Sequence, residues 1–305
     1  MKAILALKKR IYTAISKKFM SDCSSYNSLE VRRGCRSKKQ ARAIFAANGV
    51  PHAKGKIFFG PLAAYQFVKE HGFPVVIKPN VSGFSRGSYF PIGNYKELYT
   101  ALLLAKIWWP STVIEQYLAG KNYRVVVIDG EIMSVIERFP PTVIGNGRDS
   151  IRQLAETENK IRAEMGLFPT IYPIVESEQT VKYLAEQGLS FDSVPEKDQS
   201  ITLFYRIALA PGGTVNTIDK ASIPAVNQAL FLQVLSMFDA NILGIDVIME
   251  AGIDVPYDQQ KCILLEVNSR PYLKMHDVPR HGLREDLSRY YQKLDNLSIA
   301  QSDTF

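Results

Sequence analysis

The sequence predicts an α+β fold, and three features lead to this class. Segments with helical periodicity end at a glycine or a proline, short β-branched runs stand between them, and glycine-containing turns separate the runs. At 305 residues, 46% hydrophobic and 22% charged, the chain can bury a full core in one large unit or in two to three small lobes. We therefore expect a folded protein, and not a disordered or collagen-like chain.

A first unit is predicted from residue 36 to residue 111. Its first helix, 37–48, stops at Gly49 with Pro51 just beyond, which is a typical helix end. A β-branched strand, 74–78, ends in a lysine. The other expected elements are a helix at 62–71, a loop at 80–88, a strand at 89–92 and a helix at 95–106.

A second unit is predicted from residue 112 to residue 295. The dipeptide Asp129-Gly130 between two strand-like runs indicates a hairpin, and a mostly helical insertion is expected at about 150–197. Expected strands are 112–116, 123–128, 131–138, 200–208, 245–249 and 262–268, and expected helices are 151–165, 181–187 and 223–239.

The net charge of +7 resides at the N-terminus. Residues 1–42 carry 12 lysines and arginines against Asp22 and Glu30, whereas the other residues carry 25 basic and 28 acidic groups. Because the body of the protein is nearly neutral, this distribution argues against a nucleic-acid partner.

The basic segment 1–35 is predicted to be helical. Within residues 1–20, apolar side chains recur at helical spacing among lysines. Such a helix either packs on its own domain or contacts an anionic membrane or a partner protein. The apolar positions are Ile4, Leu7, Ile11, Ile15 and Phe19.

The three cysteines, Cys23, Cys35 and Cys262, have neither paired spacing nor nearby histidines. We therefore expect no disulfide framework and no zinc site. The N-terminus lacks a charge block followed by an apolar core, and no apolar run approaches the roughly 18 to 20 residues that cross a bilayer. The expected location is the cytoplasm.

Asp246, Glu266 and Asn268 form the sharpest chemical pattern. If the strands 245–249 and 262–268 form a hairpin centred on Pro256, Asp246 lies directly across from Glu266. In the strand, Glu266 and Asn268 share one face, and Leu265 and Val267 the other. Two carboxylates and an amide suit Mg²⁺, which also binds water and nucleotide phosphates. The alternative is that Asp246 caps a turn and Glu266 is solvated at an edge.

Two further segments indicate phosphate and base binding. After Lys78, the loop 82–88 (SGFSRGS) combines glycines, which let backbone N–H groups approach phosphate oxygens, with an arginine. A plain hairpin connection is the alternative, because the loop matches no standard phosphate motif. The run 113–118 (VIEQYL) places a carboxylate before backbone groups that suit an adenine ring.

Taken together and in order, these segments resemble the ATP-grasp superfamily, in particular the ATP-grasp domains of cyanophycin synthetase and of the bifunctional glutathione synthetase. The resemblance covers most of residues 36–290 and implies two α+β lobes that grip a nucleotide. The segments that carry it are 37–51, 73–79, 113–132, 137–154, 210–219, 243–248 and, most specifically, 264–284 (LLEVNSRPYLKMHDVPRHGLR).

The resemblance also implies roles for single residues. ATP phosphates would contact two lysines and the closing loop, the adenine would contact the link after the strand, and Mg²⁺ or Mn²⁺ would bind the carboxylates. The ribose position, usually acidic, is Asn122. The implied nucleotide residues are Lys38, Lys78, Gly83, Ser85, Arg86, Gly87, Glu115, Gln116, Tyr117, Leu118 and Asn122, and the implied metal ligands are Asp246, Glu266 and Asn268.

Four further side chains fall where the branch places groups that face phosphate and substrate: Arg138, Arg206, Arg270 and His276. Arg270 is the first candidate for stabilising the transferred phosphoryl group, because strand alternation from Asn268 keeps it on the metal face. Arg206 is the second. At Ala208 the sequence departs from the asparagine that is frequent in the branch.

The activity that the resemblance implies is a carboxylate–amine ligase, which forms an amide bond through an acyl phosphate and releases ADP. The expected substrates are small carboxylates and amines, such as amino acids or peptides. Only a basic segment of about 35 residues precedes the ATP-grasp pattern, where such ligases usually carry a substrate-binding domain. Two alternatives follow: a nucleotide-binding subunit that needs a partner for its substrate site, and an ATP-grasp phosphotransferase. A homo-oligomer is also compatible.

Overall fold

The computed structural model describes residues 26–80, 87–108 and 111–297, apart from the side chains of residues 29 and 108. The predicted helix within residues 1–20 lies outside these ranges. Within them the chain forms antiparallel sheets with helices packed on their faces. The predicted α+β class is therefore confirmed.

Two helices open the described chain, α1 (Leu29–Arg36) and α2 (Lys38–Ala47). Ser28 and Ser37 cap them, since their side chains accept hydrogen bonds from the N–H groups of Val31 and Gln40. Just before α1, the buried side chain of Asn27 donates hydrogen bonds to the carbonyls of Ile242 and Ser269. These bonds fasten the start of the described chain to the second half of the protein.

The small lobe is a four-stranded antiparallel sheet. Its strands are β1 (Gly55–Phe58), β2 (Val75–Pro79), β3 (Tyr89–Ile92) and β4 (Thr112–Gln116), in the order β1-β4-β2-β3. Strand alternation gives this sheet one apolar face, with Val75, Ile77 and Ile114, and a second face that carries Lys78 and Glu115.

Helices α3 (Pro61–His71) and α4 (Tyr95–Trp108) cover the apolar face of the small sheet. Their inward residues, among them Phe67, Leu98 and Ala105, form one core with the strands. The face with Lys78 is left for the interior of the protein, where the second lobe lies.

The second lobe begins with a long hairpin of β5 (Lys121–Ile128) and β6 (Glu131–Phe139), joined at Asp129 and Gly130. Both turn residues have positive φ angles, 47° and 73°, as a tight hairpin turn requires, and this confirms the predicted turn. An insertion follows, with its own small core. It consists of β7 (Thr142–Ile144), α5 (Ile151–Glu164), α6 (Glu178–Glu186) and β8 (Ser200–Thr202), with β7 and β8 paired.

The remaining chain completes a five-stranded antiparallel sheet. Its last elements are β9 (Thr214–Ile218), α7 (Ala225–Met237), β10 (Ile242–Met249), β11 (Cys262–Asn268) and α8 (Ser288–Asn296), and the order of the strands is β11-β10-β5-β6-β9. Helices α1, α2 and α7 pack on one face, where the rings of Phe45 and Phe238 meet edge to face at 5.8 Å. On the opposite face, α8 and a 3₁₀ turn at Leu273–His276 cover one end.

Two predicted boundaries differ from the structure. Strand β4 was expected to open the second unit, but it pairs with β1 and β2 in the small sheet, so the small lobe ends after Gln116. Helix α2 was expected in the first unit, but Ala41 and Phe45 are buried in the core of the large sheet. The lobe to which α2 and β4 belong is decided by the sheet against which their apolar residues pack. Local periodicity shows that a face is apolar, but it does not show which sheet that face will cover.

Two strand predictions need correction. The predicted strand 200–208 ends at Thr202. Beyond it, the ring centroids of Phe204 and Tyr205 lie 4.7 Å apart, so successive side chains pack on each other and do not alternate. The chain then turns at Ala208, whose carbonyl accepts a hydrogen bond from the Gly213 N–H. Strand β1 was not predicted. It is a four-residue edge strand, too short for a visible alternation.

The β10/β11 hairpin has the predicted register at its functional end. Asp246 lies opposite Glu266, and Gly244 lies opposite Asn268. A bulge at Leu265 then shifts the pairing, so that Val247 faces Leu264. As a result Leu264 and Val267 enter the core, whereas Leu265, expected on the same face as Val267, does not.

Among the described residues, no helix is long and apolar enough to span a membrane. Cys35 and Cys262 are free and buried, and Cys23 lies outside the described ranges. Burial raises the pKa of both described thiols to about 12, so they are unreactive at neutral pH.

Candidate active site

Two arginines neutralise Asp246, which is 4% exposed. Arg124 lies opposite Asp246 on the neighbouring strand β5. Its Nε donates a hydrogen bond to Asp246 Oδ1, and its Nη2 donates one to Oδ2 at 2.9 Å. Arg138 Nη2 lies 3.2 Å from Oδ2. Burial raises the pKa of Asp246, but the two guanidinium groups outweigh burial and hold it below its usual range. Asp246 is therefore an anion at neutral pH.

A glycine makes room for the ion pair between Asp246 and Arg124. At Gly244, a Cβ atom would lie 2.7 Å from Pro271 Cβ and 3.3 Å from Arg124 Nη1. Any larger residue would push Arg124 away from Asp246. The glycine of the GID segment is thus required by close packing.

Glu266 completes a carboxylate pair and faces a lysine. Lys38 Nζ, at the start of α2, lies 3.5 Å from Glu266 Oε2. The lysine side chain is 9% exposed and the glutamate side chain 35% exposed, so the acid reaches solvent and the base does not. Helix α2 therefore brings a cation to the acids of the large sheet.

The donor set around Asp246 and Glu266 fits a hard divalent cation. Both acids supply oxygens, although Asp246 at present faces Arg124 and Arg138, and Glu266 faces Lys38. Asn268, two residues beyond Glu266, would add its Oδ1 oxygen, because an amide Nδ2 donates hydrogen bonds and does not bind a cation. Within the described ranges, no three Asp, Glu, His or Cys side chains form a cluster that could hold a metal. These residues are the ones that would hold Mg²⁺.

Glu115 is the centre of a second buried charge cluster. Its carboxylate contacts both Lys78 Nζ and Arg42 Nη1, and the residue is 2% exposed. A Cβ at Gly55 would lie 2.5 Å from Glu115 Cγ, so this glycine, like Gly244, admits an acid–arginine pair. Arg42 is one turn after Lys38 on α2, and this helix therefore contacts acids of both lobes.

The predicted adenine link, 116–118, connects the two lobes. Its first two backbone N–H groups are occupied, since Gln116 donates to the Lys54 carbonyl at 2.9 Å and Tyr117 donates to the Pro74 carbonyl at 3.1 Å. These two N–H groups are therefore not free to bind the adenine ring for which the sequence predicts them. A cleft of about 410 Å³ borders Gln116, Tyr117 and Leu118, but its other walls include His71 and Lys261 and none of the lysines and acids of the candidate site.

Asn122 and Arg138 are paired. Arg138 Nε donates to Asn122 Oδ1 at 2.8 Å, while its Nη2 faces Asp246. The residue at the predicted ribose position is thereby linked to the carboxylate pair through one arginine.

Aromatic rings from both lobes meet near Arg206. Phe90 of β3 stacks on Tyr117 at 6.2 Å and meets Tyr205 edge to face at 5.8 Å. Arg206 lies 5.4 Å from the ring centroid of Tyr205 and donates from Nε to its hydroxyl at 3.1 Å. The structure thus places Arg206 at the junction of the lobes, and Arg270 in an exposed position beyond Asn268.

His276 is completely buried in the 3₁₀ turn, and within the described residues neither of its ring nitrogens has a hydrogen-bond partner. Burial, together with the positive charges of Arg124 and Arg138, lowers its pKa to about 3. The imidazole is therefore neutral at physiological pH, which excludes a role as a general acid there.

The buried imidazole predicts a loss of stability in acid. The unfolded chain binds a proton near pH 6.5 and the folded chain only near pH 3, so stability is complete above pH 6.5 and falls as the pH drops, by about 1.4 kcal/mol per unit. Replacing His276 with glutamine removes this dependence. Urea unfolding at pH 7 and pH 4.5 measures it, and exposed His281→Gln is the control. Equal pH slopes in both variants would contradict the assignment.

Three predicted loop residues, Gly83, Ser85 and Arg86, lie outside the described ranges. Gly87 is described and has a φ angle of 71°, a conformation that favours glycine. Its predicted phosphate role stays a prediction.

Two lobes of antiparallel sheet meet, and lysines on α2 and β2 face carboxylates at their junction, as the resemblance to the ATP-grasp superfamily implies. No family model matches the chain. Cyanophycin synthetase of Trichormus variabilis is 31% identical over 265 residues, which are 85% of this chain and 29% of that protein. The glutathione biosynthesis bifunctional protein GshAB of Clostridium perfringens is 30% identical over 213 residues, 68% of this chain and 27% of the relative.

Solved structures agree on the fold. The bifunctional glutathione synthetase from Pasteurella multocida matches with a TM-score of 0.65 and 23% identity, over 90% of this chain and 38% of the other. D-alanine–D-alanine ligase from Bacillus anthracis matches with a TM-score of 0.52 and 15% identity, over 88% and 68%. The chain belongs to the ATP-grasp superfamily and is similar to the cyanophycin synthetases and GshAB proteins, of whose length it spans about a third.

Arg124 and Arg42 were not predicted as site residues from the sequence. Each lies in a regular element without a motif of its own, and each meets an acid far away along the chain. In the sequence, the available indication of these arginines is two glycines that lie in strands. A Cβ at Gly244 would meet Arg124, and a Cβ at Gly55 would meet Arg42.

Proposed function

We propose that the chain is an ATP-dependent carboxylate–amine ligase that forms an amide bond through an acyl phosphate and releases ADP and phosphate. The observation that carries the proposal is the pairing of Asp246 with Glu266 across β10 and β11, with Lys38 beside the pair and Lys78 on the facing sheet. This arrangement supplies anions for a metal and cations for a polyphosphate. The similarity to cyanophycin synthetase, whose name describes a synthetase, supports the same chemistry.

The reaction needs activation because a carboxylate is a poor electrophile with a poor leaving group. A carboxylate oxygen of the substrate attacks the γ-phosphorus of ATP, and the bond from this phosphorus to the β,γ-bridging oxygen breaks, which releases ADP. An amine then attacks the acyl carbon, phosphate leaves with the bonding pair, and the amine loses a proton. The protein contributes position and charge neutralisation.

Each side chain has a part in this scheme. Lys38 and Lys78 bind phosphate oxygens, which requires each to exchange its present carboxylate partner for the nucleotide. Gln116, Tyr117 and Leu118 border the adenine, with Asn122 at the ribose. The loop with Gly83, Ser85, Arg86 and Gly87 covers the phosphates.

Asp246, Glu266 and Asn268 would hold Mg²⁺ or Mn²⁺, and the metal would supply positive charge that offsets the negative charge of the nucleotide phosphates. Arg124 and Arg138 already neutralise Asp246, so they orient this carboxylate before the metal binds. Arg270 and Arg206 remain the candidates for stabilising the transferred phosphoryl group. Because His276 is neutral and completely buried, we assign it no part in proton transfer.

The substrates are proposed to be an amino acid or peptide carboxylate and an amine. Residues 1–20, outside the described ranges, are proposed to contact a partner or an anionic membrane surface. We propose the cytoplasm as the location, because Cys35 and Cys262 are free thiols, as a reducing compartment favours.

Release of ADP across a panel of amino acids and peptides, with and without an added amine, tests the function. A ligase releases ADP in a single carboxylate-dependent turnover and needs the amine for continued turnover and for an amide product. Accumulation of a stable phosphorylated product without any amine requirement would instead identify a phosphotransferase. No ADP release with any substrate, but tight binding of ATP, would identify a nucleotide-binding subunit.

A further inference from the structure

Glu115 is surrounded by more positive charge than its own carboxylate requires. Arg42 Nη1 contacts Oε1 of the carboxylate, and Lys78 Nζ contacts Oε2. Within the described residues, Glu115 is the acid that both cations contact. The three side chains are largely buried, since Glu115 is 2% exposed, Arg42 11% and Lys78 12%. Two cations against one anion leave one positive charge unbalanced, and such a site attracts an anion.

The acids of the site that are buried have two cations, whereas the acid that reaches solvent has one. Asp246 and Glu115 belong to the first kind. Glu266, whose side chain is 35% exposed, has one ion-pair partner in the described chain, Lys38. When Lys38 leaves Glu266 for a nucleotide, water can solvate the carboxylate. Water reaches Glu115 too little to take the place of Lys78.

Arg42 is held where it can stay on Glu115. Its helix, α2, packs through Ala41 and Phe45 in the core of the large lobe. The guanidinium lies against the backbone of β1, because a Cβ at Gly55 would lie 2.7 Å from Arg42 Nη1. Gly55 pairs with Glu115 in the small sheet. Arg42 therefore reaches the carboxylate from the side of β1, and the ion pair is packed between a helix and a sheet edge.

The ion pair crosses between the lobes at the place where the chain joins them. Glu115 is followed by Gln116, whose N–H donates a hydrogen bond to the Lys54 carbonyl at 2.9 Å. These residues belong to the two connections between the lobes. Because atoms close to such connections move least when lobes rotate, the pair of Arg42 with Glu115 can persist while the lobes open and close.

We propose that Arg42 is a positioning residue, which holds Glu115 and balances its charge when Lys78 moves to the nucleotide. This inference rests on the proposed function, in which Lys78 binds phosphate. In the nucleotide-free protein the carboxylate has both cations, and in the complex it keeps Arg42 on Oε1. Without Arg42, the release of Lys78 would leave a buried carboxylate unpaired, which is strongly unfavourable. Arg42 thus makes Lys78 available to phosphate without contacting the nucleotide.

Calorimetric titration with Mg-ATP, in the absence of any carboxylate substrate, tests this role. Arg42→Met should raise the Kd at least ~10-fold, because Lys78 then stays on Glu115. Arg42→Lys keeps the charge and should stay within about 3-fold of the wild type, since Arg42 contacts Glu115 through one nitrogen. The matched control is Lys39→Met. Lys39 is exposed on the same helix, and its loss changes the net charge equally, so the Kd should be unchanged.

A double-mutant cycle separates positioning from direct contact. In Glu115→Gln there is no charge for Arg42 to balance, so adding Arg42→Met should change the Kd by less than about 2-fold. This comparison leaves no buried carboxylate unpaired, and it therefore remains informative if Arg42→Met alone does not fold. A rise of at least ~10-fold on the Glu115→Gln background overturns the proposal, because Arg42 would then contact the nucleotide itself.

Two further results would refute the role of Arg42. One is an unchanged Kd in a folded Arg42→Met variant, while the wild type binds Mg-ATP. The other is a wild-type protein that binds no Mg-ATP at all, which refutes the proposed function as well. The two are told apart by the wild type alone. Because binding is measured and not turnover, a protein that binds Mg-ATP without ligase activity still tests Arg42.

Discussion

Replacing Glu266 with glutamine is expected to abolish turnover and to weaken binding of Mg-ATP, while the protein stays folded. The substitution keeps the shape of the side chain and removes one of the two negative charges that face each other on β10 and β11. Because a metal that binds a polyphosphate depends on that charge, we expect a loss in turnover on the order of 10² to 10³. Titration with ATP at fixed Mg²⁺ and assays of ADP release measure the two effects.

Glu250→Gln is the matched control for this experiment. Glu250 directly follows β10, its side chain is 50% exposed, and its partner is the exposed Lys261 at 3.2 Å. It should retain full activity. If Glu266→Gln also retains its turnover, the metal assignment is wrong, and the alternative that Glu266 is a solvated edge residue gains support. A thermal melt of each variant establishes that activity is compared between folded proteins.

Removal of the Arg124 guanidinium should cause the largest loss of stability. Arg124→Leu leaves the buried carboxylate of Asp246 with only Arg138, and breaking a buried ion pair from one side costs about 3 to 5 kcal/mol. We expect the free energy of unfolding in urea to fall by about the lower of these values, because Arg138 compensates in part.

The control is Arg289→Leu, which breaks an ion pair at the surface. In that pair the side chain of Arg289 is 61% exposed and the side chain of Glu131 is 40% exposed. Such a pair contributes less than about 1 kcal/mol, since water and salt screen it. Losses of equal size in the two variants would mean that Asp246 is better solvated than its burial indicates.

The sequence predicted those parts of the site that depend on local geometry. Asp246 and Glu266 stand at equal distances from Pro256, so a regular hairpin centred there predicts their pairing. Next to the turn, however, the strands pair one residue out of that register, with Val247 opposite Leu264, and the bulge at Leu265 restores the pairing of Asp246 with Glu266. The bulge at Leu265 was not predictable, because it depends on how β11 meets the core of the large sheet. The same holds for Arg42 and Glu115, which are 73 residues apart in the chain and meet only when two lobes assemble.

The fold followed the same division. Helices with strong periodicity and the Asp129-Gly130 turn were predicted because their causes lie within a few residues. The assignment of α2 and β4 to lobes failed because an apolar face records that it will be buried, not what will cover it. Phe45 illustrates this, since its partner Phe238 is almost two hundred residues away.

The chain passes between the lobes twice, first from α2 to β1 and then from β4 to β5. The two passages are tied side by side by the hydrogen bond from Gln116 to Lys54, and the first is also fastened to β11 where Leu264 donates to the Pro51 carbonyl. Lobes joined by two neighbouring connections are expected to rotate about the axis through both connections more easily than they twist or slide against each other. We therefore expect the two lobes to open and close mainly through a change in one angle.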